Sequence, residues 1–137
     1  MKRVDLQKLS RLRKREAKKL FDSGFYSGSY YMAGYCIECA LKACIAKNIN
    51  AHVIPDKAFV NNIYQHNLEA LLKMSGLNRQ MLIDSAGNSN LVASWNIVKV
   101  WKVDSRYEFK SELEAREMYN SIVNRSNGIL VWIQQYW

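Results

Sequence analysis

Proline is nearly absent from the chain: Pro55 stands alone, and only six glycines occur in 137 residues. So few breakers argue against short strands joined by frequent turns and favour long helices. Cysteine is scarce as well. Cys36, Cys39 and Cys44 crowd into one apolar segment, an odd number that cannot all pair within the chain. That usage fits a reducing compartment rather than a secreted disulfide scaffold. No apolar run reaches membrane-spanning length, because the most hydrophobic stretch, residues 30–46, carries Glu38 and Lys42. The basic start also lacks the apolar core of a secretory signal. The expectation is a cytoplasmic protein without membrane contact. Also missing are a Gly-rich phosphate loop, a nucleophile elbow, a paired-carboxylate motif and a metal-ligand cluster, so no metal and no cofactor is expected.

What is present is an ordinary folding composition with an uneven charge. A chain that is 49% hydrophobic and 23% charged, at this length, fits one domain, residues 1–137. Of the formal charge of +8, about +7 lies in the first 19 residues, where nine Lys and Arg face only Asp5 and Glu16. The partner of such a segment should be anionic.

Hydrophobic periodicity predicts an amphipathic helix over Val4 to Asp22. Leu6, Leu9, Ala17 and Leu20 share one side, and Lys8, Arg11, Arg15, Lys18 and Lys19 gather opposite. Arg13 alone among these cations projects from the apolar side, and Gly24 supplies a stop. A central helix follows over Ser27 to Lys47, apolar around most of its circumference. Its remaining stripe is Tyr31, Tyr35, Glu38 and Lys42, spaced so that they stack along one face. Residues 48–65 read as a long loop with at most a short helical turn. His66 to Ser75 forms a short helix stopped by Gly76, and Leu77 to Ala86 another turn or two. Leu91 to Lys102 is read as helix although Val98-Lys99-Val100 alternates like a strand, since nothing else is available to pair with it. Ser111 and Glu114 have capping-box spacing and open a last helix that Asn127-Gly128 bends. The fold class is all-α, an up-and-down bundle of four to five helices.

Three stretches carry a family likeness: residues 30–43 with Gly34-Tyr35-x-x-Glu38-x-x-Leu41-Lys42, then His66-Asn67-Leu68, then Arg106-Tyr107 after Trp101. Together they resemble the HEPN family. The resemblance implies a helical bundle that often dimerises and binds RNA or a nucleotide, commonly in toxin–antitoxin or phage-defence settings beside a small nucleotidyltransferase. Many members are metal-independent endoribonucleases that use an Arg followed by His with four to six residues between. This chain departs from that pattern. The Arg positions hold Phe59, Val60 and Asn61 before His66, and Ile45, Ala46 and Lys47 before His52. Only Lys47 is cationic, and it lacks the planar fork of arginine. A binding module is therefore expected first. A divergent endoribonuclease using His66 and Arg106 from different helices is the alternative, and a structural subunit docking an acidic protein is a third reading.

Each candidate also has a plain structural reading. Cys36-Ile37-Glu38-Cys39 matches a C-x-x-C string, but mid-helix in an apolar segment it reads as core. The basic face of the first helix is either a phosphate track or a solvated surface. The stripe of Tyr31, Tyr35, Glu38 and Lys42 either lines a ligand cleft or is a helix face with a Glu–Lys pair. A buried Glu38 would need a cation, for which Arg13 and Arg106 are the candidates. His66 either caps its helix or handles phosphate chemistry, and Arg106 beside Tyr107 either reaches an anionic ligand from its loop or makes a structural ion pair.

Overall fold

The computed structural model describes every residue, Met1–Trp137, and contains helices but no strand. α1 (Arg3–Asp22) and α2 (Tyr26–Asn48) form a hairpin whose turn rests on Gly24, at φ +80°. Small residues let the two helices approach closely. Ala17, Ala33 and Ala40 are fully buried, and two buried hydroxyls stitch the pair together. Ser10 Oγ donates to the Cys36 carbonyl at 2.9 Å and Ser29 Oγ to the Ala17 carbonyl at 2.7 Å.

α2 is the axle of the molecule. Every residue from Cys36 to Ile45 is buried, as its all-round apolar pattern predicts. Elements before and after it in the chain pack around it, among them α4 (Leu68–Met74), α7 (Glu112–Val123) and α8 (Ile129–Ile133). The three cysteines are free and buried on it, which settles their role as core residues. No helix is long and apolar enough to cross a membrane.

The fold is the expected all-α bundle, divided into eight α-helices because a short one forms in the loop segment and the last is broken in two. Asp56 accepts from Phe59 N and opens α3 (Lys57–Ile63) inside the segment read as loop. Asn67, not His66, caps α4, accepting from Ala70 N. α5 (Asn78–Ser85) is followed by α6 (Ser89–Val98), whose cap is Asn88. α6 ends four residues before Lys102, and the chain then makes a short 3-10 turn, Val103–Tyr107. The Ser111–Glu114 capping box on α7 forms in both directions. The expected bend near Gly128 is a full break between α7 and α8. A Cβ there would lie 2.5 Å from the Asn124 carbonyl oxygen, so only glycine fits.

The C-terminal segment is pinned by one carboxylate. Asp84 accepts from Trp132 Nε1 at 2.9 Å, Tyr136 OH at 2.7 Å and Gln80 Nε2 at 2.7 Å. The Trp132 and Tyr136 hydrogen bonds, followed by that of Gln80, hold its pKa below the ordinary carboxylate value.

Candidate functional site

The site begins with two charges inside the core. Glu38 and Lys42 lie one turn apart on α2, and Lys42 Nζ donates to Glu38 Oε1 at 2.8 Å. Their side chains are only 3% and 8% exposed. The stripe is therefore an internal one at its Glu38–Lys42 end, while Tyr31 and Tyr35 remain half-buried. The cover comes from the far end of the loop, where the His66 ring reaches down and donates its Nδ1–H to both Glu38 oxygens at 3.0 Å. Neither Arg13 nor Arg106 is the partner of Glu38. Arg13 bonds Glu16 at 2.5 Å and lies over the Tyr35 ring at 5.4 Å. Arg106 stacks on exposed Tyr107 at 4.8 Å.

This geometry fixes the imidazole. A carboxylate is an acceptor only, so the hydrogen His66 presents to Glu38 sits on Nδ1 and Nε2 is the ring atom left available. The ring itself is 48% exposed. Local sequence explains the placement: Asn67 caps α4, and Leu68, Leu71 and Leu72 bury its other face beneath the cap.

His66 and Asn67 form one wall of a cleft of about 520 Å³, and Lys99, Lys102 and Asp104 line the other side. Trp101, 2% exposed, lies between these walls and leans on Tyr31 with ring centroids 5.7 Å apart. Its indole presses on α2 at Gly34, where a Cβ would come within 2.1 Å of Trp101 Cδ1. The Gly34 of the family-like pattern is thus the residue that admits Trp101. Opposite charges balance across the cleft: Lys99 stands 3.6 Å from Glu69, and Lys102 faces the same space as Asp104. Such a lining suits a ligand carrying both an anionic group and neutral hydrogen-bonding groups.

Of the sequence candidates, the structure brings together Glu38, Lys42 and His66, with Tyr31 one ring away through Trp101. Arg106 and Tyr107 follow the cleft wall in the chain but do not line it. Lys8, Arg11, Arg15, Lys18 and Lys19 are all exposed on α1, and none lines it either. Lys99, Lys102 and Asn67 were missed. Their signal was two lysines bracketing Trp101, in a segment read only for its packing.

The buried thiols offer no reactive group. Burial pushes Cys36 up to about 12 and Cys39 and Cys44 up to about 11. No group of three or more His, Cys, Asp or Glu side chains could hold a metal ion.

A family model described as HEPN domain matches residues 10–136. No curated protein and no solved structure matches the chain.

Proposed function

Because the chain belongs to the HEPN domain family, we propose that it is a nucleotide- or RNA-binding module whose ligand occupies the His66 cleft. One observation carries this reading: a carboxylate and an ammonium are buried together, and their exposed partner is an imidazole at a cleft. Well-packed apolar residues would serve stability as well as a buried ion pair does, so the pair is best explained by what it does to His66. Glu38 holds the ring so that Nε2 is the free atom, and Lys99 and Lys102 offer charge to a phosphate. Arg106 and Tyr107 follow the cleft wall in the chain and lie outside its lining.

Titration calorimetry with nucleoside phosphates and short RNA tests the reading. His66→Ala and Lys102→Ala should each weaken binding several-fold while circular dichroism stays unchanged. Equal affinity in wild type and both variants would remove the cleft as the site.

The same geometry supports a second reading, a metal-independent endoribonuclease. An imidazole held through Nδ1–H on a carboxylate is arranged to accept a proton at Nε2. In that case Lys99 and Lys102, which line the cleft where Arg106 does not, would steady the phosphate charge. Binding is placed first because the family spacing of Arg and His is missing. Little cleavage of bulk RNA in EDTA is expected; robust cleavage lost in a folded His66→Ala variant would reverse the order. We further propose a cytoplasmic role in a toxin–antitoxin or phage-defence setting, as a homodimer working beside a small nucleotidyltransferase. Co-purification with the products of neighbouring genes and light scattering test these two associations.

A further inference from the structure

The His66 cleft does not hold the charge excess of this protein. That excess lies on α1, and part of it lines a groove of about 520 Å³ between α1 and α7. Lys14, Arg15, Lys18 and Lys19 face this groove, with the half-buried Tyr119 on its wall. Two acids also border it, but Glu16 is held by Arg13, and Asp22 is engaged only by Lys18, at 2.5 Å. Lys14, Arg15 and Lys19 are left with no carboxylate partner. Three unpaired cations along a concavity match a chain of phosphates better than one small anion.

A run of exposed aromatic rings follows the cleft wall in the chain and leads to the turn that ends α1, with Arg106 stacked on one of them, Tyr107. The chain leaves the cleft wall at Asp104 and passes through Tyr107, 74% exposed, and Phe109, 100% exposed. Lys110 N then donates to Ser27 Oγ at 2.8 Å, which docks this strip against the start of α2. Two residues before Ser27 lies Phe25, 64% exposed, in the turn that ends α1 just past Lys18, Lys19 and Asp22. Exposed aromatics beside cations are the stacking surface that single-stranded nucleic acid uses, since every base has a face to offer.

We propose that the α1–α7 groove is a second site, which binds the sugar-phosphate backbone of a single-stranded nucleic acid. Its bases cross Phe25, Phe109 and Tyr107 before one nucleotide enters the His66 cleft. The inference rests on the cleft reading for its far end only. It makes the ligand a strand, with the groove giving salt-sensitive affinity, the rings giving preference for unpaired bases, and the cleft receiving one nucleotide.

Fluorescence anisotropy would compare a labelled single-stranded RNA of about 12 nucleotides, inside the roughly 4–16 that a single-strand-binding OB fold covers, with its duplex and with a labelled mononucleotide. The single strand should bind best. Arg15→Glu with Lys19→Glu should flatten the salt dependence of strand binding by roughly 1.4 in log–log slope, leaving mononucleotide affinity unchanged. Phe109→Ala, at a fully exposed ring, should weaken the strand roughly 5- to 150-fold and the duplex little. His66→Ala should weaken strand and mononucleotide alike. If the strand binds no better than the mononucleotide, or Phe109→Ala and the charge reversals leave it unchanged, the second site is wrong even where His66→Ala still shows the cleft at work. If Phe109→Ala instead splits a dimer and spares strand binding, a second copy covers the rings, and the proposal falls.

Discussion

Replacing Glu38 by leucine removes the acceptor shared by Lys42 and His66, and its effect can be worked from burial. The Lys42 side chain is 8% exposed, so without Glu38 its ammonium is left in the core uncompensated. Breaking a buried pair this way typically costs about 3–5 kcal/mol. A domain of ordinary stability has only about 5–15 kcal/mol in total, so Glu38→Leu should sit close to unfolding. Lys42→Met should cost less, because His66 Nδ1–H still serves the carboxylate. The double variant replaces both ions with apolar side chains and should recover most of the loss, ending within about 1–2 kcal/mol of wild type or above it. Urea denaturation followed by tryptophan fluorescence measures all four corners of the cycle. Single effects that add within about 0.5 kcal/mol would refute the idea that the two charges depend on each other. The double variant also separates stability from function: it should fold well yet bind poorly, because His66 has lost the group that orients it.

Gly34→Ala should destabilise the protein, since displacing the Trp101 indole costs about 1–3 kcal/mol, more than the roughly 1 kcal/mol a helical Gly→Ala gains. An unchanged near-UV dichroism and midpoint would show that Trp101 is not held against α2. All three thiols should resist a disulfide reagent at neutral pH until the protein unfolds, because burial raises each of them to about 11 or 12; rapid labelling of one would contradict its place in the core. The Asp84 carboxyl is depressed when folded, so its contribution is complete above its ordinary value of 3.8 and fades as pH falls below it through the folded value. Trp132 fluorescence should report this loosening only in acid, and Asp84→Asn should flatten the profile. A transition near neutral pH would point to another group.

The outline of the bundle was legible because periodicity reports burial: the all-round apolar α2, the two-sided α1 and the Ser111 cap all appear as read. The separate short helices α3 and α8 were not, because α3 opens on one Asp56 hydrogen bond and α8 starts at Gly128 with no side-chain cap at all. The candidate site was half legible. Spacing pairs Glu38 with Lys42, but nothing local shows that residue 66 folds back over them, 28 positions away. Arg106 looked like the better cation from its loop setting, whereas Lys99 and Lys102 reach the cleft because α6 ends at Val98 and the chain turns there.

The central position of α2 has a consequence for how the molecule opens. Its neighbours come from both ends of the chain, so no local fluctuation can bare its backbone. The amides of residues 36–45 should exchange with solvent only when the whole domain unfolds. α3 buries none of its seven residues and should exchange quickly by fraying. His66 hangs between these regimes, its ring tied to the slowest-exchanging helix and its backbone just beyond the fastest. Lifting residues 57–66 would release the imidazole from Glu38 while the rest of the bundle stays closed.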